Sequence, residues 1–186
     1  VDSVIAGVKV CLGNYPYVAA IWKGEKHVCG GSILDETHIL TAAHCIASVQ
    51  ETDCTVTVGA VDIRSPSKIR VNVLKFHIHP DYKRITDMDI QDKRNSVHDI
   101  AILKLATELE WSDYVKPISL RRQPGMPTCD CYIAGWGPIE KRRFEMLPEL
   151  RWGQLYIMDS ASCLRYKPGP NEICAVNPVV PDSAAP

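Results

Sequence analysis

Short stretches rich in β-branched and aromatic residues recur along this chain, separated by turn residues. Residues 17–22, 31–34, 38–42, 55–59, 69–76, 100–105, 131–135 and 150–157 each read as a strand. Ala101-Ile102-Leu103-Lys104-Leu105 shows the two-residue period of a strand with one buried face. Asp35-Glu36-Thr37-His38 reads as the turn between two such runs. Strands of this length at this spacing predict an all-β barrel architecture. A boundary falls near residues 117–128, where Arg121-Arg122-Gln123-Pro124-Gly125 reads as a connector. Residues 83–98 are polar and lengthen the approach to Asp99, and they read as a surface loop.

Two segments carry candidate chemistry. Thr41-Ala42-Ala43-His44-Cys45 follows the apolar pair Ile39-Leu40, and Asp99 immediately precedes the alternating run that starts at Ile100. A histidine acting as general base needs a carboxylate to hold its tautomer and stabilise the imidazolium, and the two can lie far apart in sequence. Other segments occur in a matching order: Pro16–Ile21, His27-Val28-Cys29-Gly30-Gly31-Ser32-Ile33-Leu34, Val56–Gly59, His79-Pro80-Asp81-Tyr82, and Tyr114–Ile118. Cys131-Tyr132-Ile133-Ala134-Gly135-Trp136-Gly137, Leu147–Leu150 and Ile173-Cys174-Ala175 complete the series. Together they resemble the trypsin/chymotrypsin family of serine proteases from Ile5 to about Ala175.

The resemblance implies a chymotrypsin-like double six-stranded β-barrel whose second barrel is incomplete in this chain. Residues 5–117 would form the N-terminal barrel with His44 and Asp99, 118–128 the connector, and 129–186 a partial C-terminal barrel. By the same resemblance His44 takes and returns a proton, Asp99 orients it, and disulfides join Cys29 to Cys45 and Cys163 to Cys174. Loops of that size are worth about 3 kcal/mol in the chain-entropy model. The pairing of Cys11, Cys54, Cys129 and Cys131 stays open.

The family's Gly-Asp-Ser-Gly-Gly-Pro segment is absent. The end, Pro181-Asp182-Ser183-Ala184-Ala185-Pro186, keeps an Asp-Ser pair and a proline but none of the glycines. The position that donates an oxyanion-hole N–H in the family is Pro181, which has none to give. Loss of one such donor costs about 10²–10³ in turnover. Ser183 is either a degenerate nucleophile position or part of a small, polar, proline-rich end. The amino-terminal switch is altered too, with Val8 where the family's activated N-terminal segment, matched by Ile5-Ala6-Gly7, has a second glycine. If the chain begins at Val1, the buried pair that the family's new N-terminal ammonium makes with the aspartate before the serine, here Asp182, cannot form.

Composition narrows the partners. A formal net charge of −1 gives no sign of nucleic acid, and no apolar run reaches membrane-spanning length. Lys141-Arg142-Arg143 reads as a solvated loop. Eight cysteines in 186 residues point to an oxidising compartment, hence secretion. No metal is expected: His77-x-His79 falls on a landmark without a ligand role, and Asp62 is the sole carboxylate in residues 61–70. No cofactor is expected. The expected function is that of a secreted serine endopeptidase, inactive or truncated as these residues stand. The alternative is a pseudoprotease that binds without cutting. Expected partners are a protein or peptide substrate or a protease inhibitor, with an additional chain completing the second barrel held open.

Overall fold

The computed structural model describes residues 7–84, 96–122, 131–137, 148–166, 172–176 and 184–185. In chain order its strands are β1 (Val8–Lys9), β2 (Val18–Lys23), β3 (Lys26–Ile33), β4 (His38–Thr41), β5 (Cys54–Val58), β6 (Ile69–Ile78), β7 (Lys83–Arg84), β8 (Ser96–Val97) and β9 (Ala101–Leu105). They continue with β10 (Cys131–Gly135), β11 (Arg151–Ile157), β12 (Ala175–Val176) and β13 (Ala184–Ala185). Helix among the described residues is confined to single turns such as Ala43–Cys45 and Ser160–Cys163. The chain divides into two units, Cys11–Leu120 and Val1–Val10 with Arg121–Pro186.

In the Cys11–Leu120 unit six antiparallel strands close in the order β2-β3-β4-β9-β6-β5. Closure gives every strand two partners and leaves no free edge. The two-residue period supplies the filling. Ala101, Leu103 and Leu105 of β9 are buried, with Ile102 and Lys104 between them only partly so. They pack with Ile21, Ile33, Ile39, Val56 and Val58 in one apolar core. β6 keeps its core face through a bulge. Val71 and Val73 point inward, the register shifts between Val73 and Lys75, and Leu74 is left exposed. Phe76 and Ile78 then resume packing on the core, because one extra residue reverses the phase of all that follow. Outside the barrel, the Lys68 ammonium and the Arg70 guanidinium lie 5.7 and 5.5 Å from the Trp22 ring, within cation–π range.

The other unit holds a partial barrel of five strands in one sheet. β10 pairs along β11 from Cys131↔Leu155 to Gly135↔Arg151. β1 adds Val8↔Trp152, β12 adds Tyr156↔Val176, and β13 pairs with β12. The Arg151 guanidinium donates to the Gly7 carbonyl at 2.7 Å, and a disulfide joins Cys163 to Cys174.

Cys11 is an exposed free thiol, and Cys54 is a free thiol buried in the barrel core. The open pairing of these two resolves as no disulfide for either. Burial, with help from Glu51, pushes the Cys54 thiol up to about 11, so it packs as a small hydrophobe. Ile5, Cys129 and Lys141-Arg142-Arg143 lie outside the described residues.

Two features of the β3–β4 hairpin yield predictions. A Cβ added at Gly31 would lie 2.7 Å from Ile39 Cγ2 and 3.0 Å from the Leu40 carbonyl oxygen, whereas one at Gly30 finds nothing nearer than 3.9 Å. Gly31→Ala is therefore expected to cost about 1–3 kcal/mol of stability, and Gly30→Ala less, by urea unfolding. Equal costs would remove the steric explanation.

The Asp35 carboxylate accepts the Thr37 N–H at 2.8 Å and lies 2.8 Å from His38 Nδ1. Partial burial pushes its carboxyl up, but the Thr37 N–H, the His38 ring and the Thr37 hydroxyl together outweigh that and hold it below the ordinary value. A depressed folded-state value contributes stability above the unfolded value of about 3.9, and that stability is lost as pH falls through the folded value. Asp35→Asn is expected to lower the neutral-pH urea midpoint and flatten its decline below about pH 4. An unchanged acid slope would assign that decline to other carboxylates.

Candidate functional site

β4 ends at Thr41, and the chain turns at once through Ala43–Cys45. Ala43 and Ile46 are fully buried and anchor this turn in the barrel core, so the ring of His44 between them faces outward. Only a small residue fits at 43 without displacing core side chains. The Thr41 hydroxyl donates to the Gly30 carbonyl at 2.9 Å, and the Cys29–Cys45 disulfide ties the turn to β3.

Asp99 reaches His44 through strand register. β4 and β9 are antiparallel with Thr41 opposite Ala101, so the residues just past β4 meet those just before β9. One Asp99 oxygen accepts the His44 backbone N–H at 2.8 Å, and the other lies 2.6 Å from His44 Nδ1. An ionised carboxylate only accepts, so Nδ1 carries the proton and Nε2 of the neutral ring is left with its lone pair. The His44 side chain is half exposed and Asp99 is 27% exposed. An imidazole held in this way can accept a proton at Nε2, with the Asp99 carboxylate placed to stabilise the imidazolium that forms. Among the described residues Nε2 lies 3.5 Å from Cys45 Sγ, a disulfide sulfur with no proton to donate to that lone pair. The capture of the His44 main-chain N–H by the same carboxylate has no signal in the sequence.

Two further residues shape the approach to Asp99. His98 has φ +53°, and the Ile100 N–H donates to its carbonyl at 2.8 Å across Asp99, a three-residue turn. The His79 ring stacks on that of His98 with centroids 4.6 Å apart. Neither role is readable from residue type, apart from the general enrichment of histidine in the left-handed region.

Pro181, Asp182 and Ser183 lie outside the described residues. Asp62 is engaged by Arg64, whose Nη2 is 2.7 Å from Oδ2 and whose N–H is 2.8 Å from Oδ1. The Arg64 side chain and N–H hold its carboxyl at about 2. Among the described residues, Cys29, His44 and Cys45 are the three-residue group with ligand atoms within 4.8 Å of one another. Its sulfurs form the disulfide and offer no thiolate to a metal. No described helix is long and apolar enough to cross a membrane.

The family model described as Trypsin matches residues 4–184. Kallikrein 1-related peptidase b11 of Mus musculus is 29% identical over 182 residues, which cover 95% of this chain and 63% of that protein. Serine protease Hayan of Drosophila melanogaster is 34% identical over 142 residues, covering 72% of this chain and 21% of that protein. The chain thus spans less than two-thirds of the length of both relatives. Among solved structures, neuropsin, a serine protease expressed in the limbic system of mouse brain, superposes with a TM-score of 0.76 at 25% identity. That match covers 92% of this chain and 74% of the neuropsin chain.

The disulfide beside His44 yields a prediction. Its cysteines are 16 residues apart, and replacing both by Ser is expected to cost about 3 kcal/mol in thermal unfolding. A cost well below 1 kcal/mol would show that Ala43, Ile46 and the Thr41 hydroxyl hold the turn unaided.

Proposed function

The chain belongs to the trypsin family of serine proteases, and we propose that the protein is a secreted endopeptidase with His44 as general base and Asp99 as its orienting carboxylate. The 2.6 Å contact between His44 Nδ1 and the Asp99 carboxylate carries this reading. It supplies the tautomer that accepts a serine proton at Nε2 and returns it to the leaving amine. The disulfides Cys29–Cys45 and Cys163–Cys174 favour secretion. Ser183 is the nucleophile position in this reading, protein or peptide chains are the substrates, and protease inhibitors are the competing ligands.

Pro181, Ala184, Ala185 and Val8 favour a second reading, a pseudoprotease that binds such ligands without cleaving them. A proline at 181 leaves the oxyanion one donor short, and alanines after Ser183 restrict backbone that glycine leaves free.

The deciding experiment is intact mass of the naturally secreted protein before and after a fluorophosphonate that labels activated serines. One added label supports the peptidase. In that protein Asp99→Asn is expected to slow peptide hydrolysis about 10⁴-fold, with KM little changed. No label, together with retained binding of a protein protease inhibitor, would replace the peptidase with the binding protein.

A further inference from the structure

β6 ends at Ile78 opposite Ala101, the first residue of β9. The chain leaves the barrel there through a turn in which the Tyr82 N–H donates to the His79 carbonyl at 2.9 Å. It then enters β7, which pairs with β8 through Lys83↔Val97 and Arg84↔Ser96. His79 and His98 sit on the two sides of the neck this creates, with their rings stacked 4.6 Å apart at an interplanar angle of 7°. Among the described residues His98 is the one non-glycine with a positive φ, +53°. A Cβ disfavours that conformation, and the residue that follows is Asp99.

We propose that the His79–His98 stack is a positioning device that holds His98 left-handed and so aims the Asp99 carboxylate at His44. The His79 wall is itself fixed. Its ring Nδ1 accepts the Asp81 N–H at 3.1 Å, and its backbone N–H donates to the Ile100 carbonyl at 3.1 Å. A ring braced in this way gives the His98 ring one flat surface to lie on, which selects the backbone conformation that brings it there. Relaxation of His98 to an extended conformation would swing the peptide entering Asp99 and break the 2.8 Å bond from the Ile100 N–H to the His98 carbonyl. Asp99 has both oxygens committed to His44, so the loss registers at the His44 Nδ1 proton. His79 and His98 are positioning residues, and they act through Asp99. The catalytic consequence rests on the peptidase reading; the geometry does not.

The test is solvent exchange of the His44 Nδ1 proton, measured by NMR on the ¹⁵N-labelled full chain, with the resonance assigned by its disappearance in His44→Gln. His79→Leu is expected to speed exchange on the order of tenfold, and His79→Phe, which keeps a flat ring, to stay within about twofold of the parent. Exchange in His79→Leu as slow as in the parent would overturn the proposal. So would His79→Phe exchanging as fast as His79→Leu, which would assign the effect to the Asp81 contact. If His79→Leu gives no dispersed spectrum, His98→Ala, which lacks both the ring and a preference for the left-handed region, is compared with His98→Tyr: fast exchange in the first and slow in the second is expected, and equal rates would overturn the proposal. Fluorophosphonate labelling is scored separately. An exchange effect in a protein that does not label refutes the peptidase reading alone, and a labelled protein without the effect refutes the stack alone.

Discussion

The pairing of β4 with β9 sets both the core and the site. Ile39 lies opposite Leu103 and Thr41 opposite Ala101, and Ile39 and Leu103 are fully buried. Extending the same register by two residues places position 99 opposite position 43, one residue before His44. A slip of one residue would turn Ile102 and Lys104 into the core and shift Asp99 by about 3.3 Å along the strand. Neither hydrogen bond to His44 survives a displacement of that size. The apolar packing that excludes a slipped barrel therefore also holds the carboxylate and the imidazole in register.

The two residues of the pair are secured differently. His44 is held from beneath by Ala43 and Ile46 and from the side by the disulfide to Cys29, which leaves only its ring to be oriented. Asp99 precedes its strand, and its direction comes from a three-residue turn and a left-handed neighbour. Core burial and a covalent bond tolerate change around them. A local turn carried by a few weak contacts does not, so sensitivity to substitution concentrates on the Asp99 side.

Much of the first barrel was legible because its inward positions follow a two-residue period. The exceptions have physical causes. The pattern placed the second strand of the barrel at 31–34, whereas β3 runs from Lys26 to Ile33. Gly30-Gly31 carries no side-chain pattern, and the register shift opposite Ile21 and Trp22 breaks the alternation. The expected 69–76 strand reaches Ile78 because the bulge at Leu74 reverses the phase partway along. β1, β12 and β13 are two residues each, too short for any period to show. His44 and Asp99 were found by context, since each stands at the end of a strongly patterned strand. His79 and His98 were not, because a stack between residues on two sides of a loop depends on tertiary closure.

The energetic balance around His44 favours chemistry over stability as the reason for its geometry. A hydrogen bond as exposed as the one between His44 and Asp99 stabilises a fold by about 1 kcal/mol, and the left-handed backbone at His98 costs roughly 1–3 kcal/mol unless its surroundings compensate. A barrel already closed by Ile21, Ile33, Ile39 and Leu103 gains little from such a trade. What the arrangement does provide is an imidazole of fixed tautomer with Nε2 directed away from its carboxylate. That geometry suits proton transfer at Nε2, the chemistry of the proposed peptidase, whereas a proline at 181 does not suit an oxyanion hole. The two halves of the apparatus make opposite physical arguments, and the chemical state of the serine decides between them.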